Sequence, residues 1–296
     1  MITLGGLAAL AQAHGEDLGH PVAAVRLGDR TVDTDATPLV MGCVNLSKDS
    51  TYRESIALGT DAAIRKGRVL AAHGADLVDV GAESSTARAA RVDPQEQADA
   101  LVPVVEGLVA AGVAVSAEAY DPVVVKAALA AGAAVVNYTG SAADEEVFGA
   151  VAAAGATVVL CYVPGADVRE VTDVDLDDPF PGILGHFERR VALARSCGVE
   201  HLVLDPGMGF YYGNLTDPAV RVNHQMRVLL RSSRLRRLGL PVCQSVPHAF
   251  ALFGDQFRTA EGFFTVFAAL AGVGVVRTHE VAHVRAVLHA MTSLDA

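Results

Sequence analysis

Seven stretches of the chain share one pattern, in which a glycine is followed at once by a run of apolar residues. Each glycine suits the position just after a helix, because a residue without Cβ adopts a left-handed backbone at the lowest cost. The apolar runs do not alternate with polar residues, which is typical of parallel strands buried on both faces. The seven glycines are Gly74, Gly112, Gly132, Gly155, Gly198, Gly239 and Gly272.

Stretches with helical periodicity separate these runs. Asp93, Asp121 and Asp217 each precede a proline, which predicts an N-cap followed by proline at the first helical position. The stretch 164–181 is rich in Asp, Gly and Pro and is either a lid or a plain solvated loop. The predicted helices span 57–72, 94–111, 122–131, 187–196, 218–237 and 256–271.

The number of strands favours a closed barrel. With 39–44 as the first strand, the chain holds about eight strand–helix units, the number at which a parallel sheet closes. We therefore predict an α/β fold, a (β/α)₈ TIM barrel over residues 38–296. Residues 1–37 are expected to form a helix and a hairpin that cap the barrel floor. A doubly wound open sheet is the second choice, since it would normally have fewer strands.

Charge and composition restrict the partners. The formal net charge of -11 would repel a phosphate backbone, and no basic run with interleaved aromatic residues overrides it. We therefore expect no binding to nucleic acid.

The N-terminal residues and the cysteines indicate the compartment. The chain begins without the basic region of a signal peptide, and Gly155 interrupts the apolar stretch 147–163 before it reaches membrane-spanning length. We expect a cytoplasmic protein with no membrane segment. Widely separated cysteines are typical of reduced thiols; they are Cys43, Cys161, Cys197 and Cys243.

Polar residues follow nearly every predicted strand. The loops at the carboxyl ends of barrel strands meet over one mouth, so these side chains should surround a single opening. They are Asn45, Asp79, Glu83, Glu118, Asn137, Tyr162, Asp205, Gln244, Ser245, Arg277 and His279.

The polar residues around this opening suit two kinds of ligand. Asp205 can accept from two adjacent N–H groups while Asn137 both donates and accepts, which fits an amino-pyrimidinone ring. Asn45, Arg277 and His279 come from the first and last strands, which are neighbours in a closed barrel. This trio predicts a site for an anion such as a diphosphate, with Mg²⁺ sharing its charge.

A zinc site is not expected. The remaining candidate histidines occur at no ligand spacing that zinc sites use. They are His224, His248, His283 and His289.

The ordered motifs resemble one known family, the dihydropteroate synthases. The similar segments run from about residue 22 to the C-terminus in consistent order. They are 38–50 (PLVMGCVNLSKDS), 74–84 (GADLVDVGAES), 115–122 (VSAEAYDP), 134–137 (AVVN), 204–210 (LDPGMGF) and 276–281 (VRTHEV).

The resemblance implies a reaction and a set of roles. Members of this family displace diphosphate from a hydroxymethyl-dihydropterin diphosphate and join the pterin methylene to the amine of p-aminobenzoate. By similarity, Asn45 would contact Mg²⁺ and diphosphate, and Arg277 and His279 would hold the leaving group. Asn137 and Asp205 would bind the pterin ring, and dimerisation is typical of the family.

The chain also departs from the family pattern. Glu118 replaces the third-strand aspartate, and Gln244-Ser-Val-Pro-His248 stands where Ser-Arg-Lys is expected. His248 could partly substitute for that lysine, although it would be mostly neutral at pH 7.

Two further departures lie in loops. Tyr211-Tyr212 stands where a glycine and a lysine are expected, and Arg88 or Arg91 would have to replace the usual loop arginine. These changes spare the diphosphate end of the site more than the arylamine end. We therefore expect a divergent transferase with an altered acceptor or substrate. A pterin-binding paralogue with altered or lost catalysis, and a folate-dependent methyltransferase of the same superfamily, are the alternatives.

Overall fold

The computed structural model describes residues 1–49, 52–86 and 89–294. Its strands are β1 Val25–Leu27, β2 Arg30–Val32, β3 Leu39–Asn45, β4 Leu77–Gly81, β5 Val115–Ala119, β6 Val135–Tyr138, β7 Thr157–Cys161, β8 His201–Asp205, β9 Cys243–Ser245 and β10 Val275–Thr278. Its α-helices are α1 Leu4–Ala13, α2 Gly15–Leu18, α3 Thr60–Ala72, α4 Pro94–Ala110, α5 Pro122–Ala130, α6 Asp144–Ala154, α7 Phe180–Ser196, α8 Pro218–Leu230, α9 Phe250–Phe253, α10 Phe257–Leu270 and α11 Val281–Ser293. Short 3-10 helices span Arg53–Ser55, Ser232–Leu238 and Gly254–Gln256.

Strands β3 to β10 form one parallel sheet within the described residues, in the order β8-β7-β6-β5-β4-β3-β10-β9. The two end strands meet through a parallel bridge between Leu204 and Val242, and the Leu204 amide donates to the carbonyl of Pro241 at 2.9 Å. The sheet is therefore wound into a barrel, and the predicted (β/α)₈ fold is confirmed. The open-sheet alternative is wrong.

The predicted helix boundaries depend on two kinds of signal. All seven recurrent glycines have positive φ, between 60° and 100°. The side chains of Asp93, Asp121 and Asp217 each accept from a backbone N–H two residues later at 2.8 Å. Three predicted boundaries differ from the structure by more than one residue: α3 begins at Thr60 rather than at residue 57, α7 begins at Phe180 rather than at residue 187, and α8 ends at Leu230 rather than at residue 237.

The N-terminal hairpin closes the floor of the barrel. Val25 and Leu27 of β1 are buried among side chains from the amino-terminal halves of the barrel strands, including Leu77 and Val135. The hydroxyl of Thr157 also donates to the carbonyl of Arg26 at 2.6 Å. The floor is therefore apolar and filled, which leaves the opposite end for chemistry. The division at residues 37 and 38 stays a prediction.

No helix in the described ranges has both the length and the apolar character needed to cross a bilayer.

Helices α3 and α4 pack at a close approach that one glycine allows. A Cβ on Gly67 would lie 2.6 Å from Cδ2 of Leu108, which is fully buried and cannot move aside easily. Gly67→Ala should therefore lower the free energy of unfolding by about 1 to 2 kcal/mol through overpacking. Urea denaturation followed by circular dichroism measures it.

Gly149→Ala is the matched control, since this exposed glycine of α6 has nothing within 4 Å of the added Cβ. It should raise the free energy of unfolding by about 0.5 to 1 kcal/mol, because alanine restricts the unfolded chain more than glycine does. Equal shifts in the two variants would contradict the close packing of α3 against α4.

Candidate functional site

A cavity of about 310 Å³ opens at the carboxyl ends of the barrel strands. Side chains from each of the eight barrel strands or from the loop that follows it reach the cavity, because all these loops meet there. Nine of the predicted site residues line its wall: Asn45, Glu83, Glu118, Asn137, Asp205, Ser245, His248, Arg277 and His279.

Arg277 at the end of β10 lies between two carboxylates. Its Nε donates to Oδ2 of Asp79 at 2.8 Å, and its Nη2 donates to Oε2 of Glu118 at 2.5 Å. Asp79 also accepts from Asn137 at 3.0 Å and from Ser116 at 2.6 Å. One network therefore joins β4, β5, β6 and β10 in the middle of the barrel.

Asp79 has a different place from the one expected. It is 1% exposed and lies below the cavity wall rather than in it, with both carboxylate oxygens already bonded. Its partners Asn137 and Arg277 do line the cavity, and Asp79 holds both side chains from below the wall.

Burial raises the pKa of two carboxyl groups in the cavity, those of Glu118 and Asp205. The pKa of Glu118 rises to about 7, mainly through desolvation, although Arg277 opposes the shift. The pKa of Asp205 rises to about 6 for the same main reason, and the Gly207 amide opposes it by donating to Oδ1 at 2.8 Å. Asp205 is therefore still largely ionised at pH 7, and it remains a hydrogen-bond acceptor.

A second network centres on Glu261 of α10, which is 0% exposed. Oε1 lies 2.9 Å from Nδ1 of His248 and 3.2 Å from Nδ1 of His279. Oε2 accepts from the hydroxyl of Thr278 and from the His279 amide, the latter at 2.8 Å. Burial would raise the pKa of Glu261, but the hydrogen bonds and charges of the two histidines hold it well below its usual range.

Asn45 and Tyr52 form the corner next to these histidines. The ring of Tyr52 stacks on His279 with centroids 4.5 Å apart and lies 4.6 Å from the ring of His248. The side-chain amide of Asn45 donates to the Ser55 hydroxyl at 2.5 Å. The first and last strands thus bring Asn45, Arg277 and His279 to one side of the cavity, as their order in the barrel predicts.

Two predicted substrate-binding residues do not belong to the wall. Tyr162 packs edge-on against His186 with ring centroids 5.0 Å apart, on the helix side of its strand. Gln244 is fully buried and donates to the Ser232 hydroxyl. Neither side chain lines the cavity, because each residue follows an inward-facing neighbour and therefore points the opposite way.

Glu83 is committed to the loops that frame the opening. Oε1 lies 2.9 Å from Nη1 of Arg169 and accepts from the Val92 amide at 2.8 Å, while Oε2 accepts from Tyr120 at 2.5 Å. Glu83 therefore holds these loops together and also lines the cavity. The expectation for Arg88 lies outside the described residues.

The pattern of polar residues after the strands did not predict several residues of the cavity wall. Pro218, Arg221, Val222 and Gln225 line the cavity from one face of α8. Their spacing of three and four residues is the helical period, and it could have identified this face. Glu261 could not have been found this way, since its role depends on two histidines from separate segments.

The comparisons with known proteins agree with this geometry. The model of a protein family described as "Pterin binding enzyme" matches residues 41–279. The dihydropteroate synthase type-2 of Escherichia coli is 33% identical over 254 residues, which cover 82% of this chain and 90% of that relative.

Solved structures give the same result. A dihydropteroate synthase of Xanthomonas albilineans, solved with 4-aminobenzoic acid, is 28% identical and matches with a TM-score of 0.77 over 92% of this chain and 98% of its own. The enzyme of Thermus thermophilus is 26% identical and matches with a TM-score of 0.73 over 92% of this chain and 99% of its own. The chain therefore belongs to the dihydropteroate synthase family of pterin-binding enzymes and is a transferase of that type.

Proposed function

We propose that this enzyme joins the methylene of a pterin diphosphate to the amine of an acidic aromatic acceptor. The observation that carries the proposal is that Asp205 and Asn137 line the same cavity. The Asp205 carboxylate can accept from two adjacent N–H groups of the pterin, and the Asn137 amide offers a donor and an acceptor. Asn137 is itself oriented by Asp79.

The leaving diphosphate would lie at the corner formed by Asn45, Arg277 and His279. The oxygen donors that Mg²⁺ prefers include amide carbonyls, and the Asn45 side chain has its nitrogen bonded to Ser55. The residues present thus fit a Mg²⁺ ion held by Asn45 and the substrate phosphates. When bound, that ion would neutralise charge on the departing diphosphate.

The reaction breaks the bond between the pterin methylene carbon and the diphosphate oxygen, and diphosphate leaves with the electron pair. The amine nitrogen of the acceptor supplies the pair for the new C–N bond, and its proton is lost to solvent. Positive charge develops on the methylene carbon, and the carboxylates of Glu118 and Asp205 would stabilise it. We propose both residues, with Arg277 and His279, as the catalytic set.

The acceptor side of the cavity suits an aromatic acid. Phe210 and Tyr211 line it, and Cζ of Arg221 lies 5.6 Å from the ring centroid of Tyr211. Within the described residues, no carboxylate lies at salt-bridge distance from Arg221. We propose that Arg221 binds the carboxylate of the acceptor, with Ser245 and His248 completing the wall.

The first prediction concerns turnover. Incubation with hydroxymethyl-dihydropterin diphosphate, Mg²⁺ and p-aminobenzoate should release diphosphate and form dihydropteroate, measured by chromatography of both products. Arg221→Met should raise the KM for p-aminobenzoate about tenfold, because it removes one charge-assisted contact worth about 1.5 kcal/mol, and leave the KM for the pterin unchanged. Diphosphate release without dihydropteroate would mean a different acceptor, and no release would overturn the transferase proposal for this substrate.

The second prediction concerns the pterin ring. Asp205→Asn should weaken binding of 6-hydroxymethylpterin by about 2 to 4 kcal/mol, because one acceptor oxygen becomes a donor that faces another donor. Isothermal titration calorimetry measures it. Asp29→Asn, in the exposed turn of the floor hairpin, is the matched control and should bind as the wild type does. Equal affinity in the two variants would remove Asp205 from the ring site.

A second candidate function is pterin binding with altered catalysis. Arg277 is already paired with two carboxylates, and no lysine of the described chain lines the cavity. Lys66 donates to the Glu54 carbonyl and Lys126 pairs with Glu146, so neither can serve the site. Tight pterin binding without diphosphate release would favour this alternative.

We also propose that the enzyme acts as a cytoplasmic homodimer. The four cysteines form no disulfide, which fits a reducing compartment. Phe263 and Leu270 of α10 are 43% and 54% exposed and offer an apolar helix face for a second copy.

A further inference from the structure

We propose that His248, Glu261 and His279 form a binding site for a divalent transition metal ion of the zinc class. Two imidazole nitrogens and one carboxylate oxygen from these residues lie within 4.8 Å of one another. They come from the loop after β9, from α10 and from the end of β10. The spacing along the sequence gave no indication of such a site.

The separations suit coordination as well as hydrogen bonding. Bonds of about 2.0 to 2.2 Å from zinc to nitrogen and oxygen put neighbouring ligand atoms about 2.8 to 3.6 Å apart at octahedral or tetrahedral angles. Oε1 of Glu261 lies 2.9 Å and 3.2 Å from the two Nδ1 atoms. A metal ion that replaces the two imidazole protons would draw the three ligand atoms, which lie within 4.8 Å of one another, around itself.

The ligands are held in position by other groups. The second oxygen of Glu261 accepts from the Thr278 hydroxyl and from the amides of His279 and Glu280, the amides at 2.8 and 3.2 Å. Both imidazole rings pack against Tyr52. A carboxylate fixed by three donors and rings fixed by stacking resemble the outer support that orients ligands in metal sites.

The donor set also selects the metal. Imidazole nitrogen suits Zn²⁺, Fe²⁺ and Co²⁺, whereas Mg²⁺ prefers oxygen ligands and retains its waters. The site is therefore distinct from the Mg²⁺ proposed at Asn45, since it offers two nitrogens and one oxygen. Two imidazoles and one carboxylate also form the ligand set of several zinc enzymes.

The position of the site gives it a role. His248 and His279 line the same cavity as Arg277, whose charge is balanced by Asp79 and Glu118. A divalent ion behind these histidines would supply positive charge in a cavity that no lysine of the described residues lines. This electrostatic role rests on the proposed function, but the metal site itself does not.

The test measures metal binding without any substrate. Untagged protein is dialysed against a chelator and titrated with ZnCl₂ by calorimetry, and with CoCl₂ by visible absorption. We expect one ion per chain and a Co²⁺ band that shows nitrogen and oxygen ligands. A tenfold excess of Mg²⁺ should not displace the ion.

Variants separate this site from surface histidines. His248→Ala and Glu261→Gln should each weaken Zn²⁺ binding at least tenfold and abolish the Co²⁺ band. The control His289→Ala, an exposed histidine of α11, should bind as the wild type does. Because Glu261 is buried, circular dichroism checks that each variant folds. If Glu261→Gln does not fold, His248→Ala still tests the site, since His248 is partly exposed.

The outcomes are distinct from those of the transferase assay. The absence of Zn²⁺ and Co²⁺ binding by the wild type would overturn the proposal, and so would binding that His248→Ala leaves unchanged. Metal binding with these variant effects would support the site even if no diphosphate were released.

Discussion

The charge of Arg277 makes the interior of this barrel possible. Asp79 is buried and Glu118, on the adjacent strand, is partly buried; the guanidinium lies 2.8 Å from the carboxylate of Asp79 and 2.5 Å from that of Glu118. Removing one partner of a buried ion pair leaves an uncompensated charge and is strongly destabilising. The network therefore fixes Arg277, Asp79 and Glu118 together, and through Asp79 it fixes Asn137. The shape of the cavity wall around Asn137 depends on this arrangement.

The same network changes the electrostatics of the site. Because Arg277 is shared between two carboxylates, it has less charge to offer an anion than an unpaired arginine would. The cavity also holds Asp205, whose pKa rises to about 6. The chain thus combines acidic groups with few cations around the histidines that contact Glu261, and burial lowers the pKa of one of them, His279. A metal ion at those histidines would restore the balance.

Much of the fold could be predicted from the sequence, because its signals are local. A glycine that ends a helix and an aspartate that caps one act through neighbouring backbone groups, so Gly74 or Asp121 marks a boundary without knowledge of the rest. The ring of polar residues at the strand ends follows from the barrel itself. The start of α7 was harder to place, since Phe180 follows a segment rich in Asp and Pro.

To predict which strand-end side chains face the cavity, the alternation of side chains along each strand must also be considered. Cys161 and Ser245 line the cavity, so the alternation of a strand turns Tyr162 and Gln244 to the opposite face. Counting by two along β7 and β9 would have excluded both. The Glu261 cluster is different, because it joins three segments whose contact depends on the packing of α10 against the barrel, and no local pattern encodes that contact.

The central claim is that Arg277 and Asp79 act as one unit, and a double-mutant cycle tests it most directly. The free energy of unfolding is measured in urea for the wild type, Arg277→Met, Asp79→Asn and the double variant. We expect each single variant to lose about 3 to 5 kcal/mol and the double variant to lose much less than their sum, with a coupling energy of at least 1 kcal/mol. If the losses of the two single variants add up to the loss of the double variant to within about 0.5 kcal/mol, the account is contradicted.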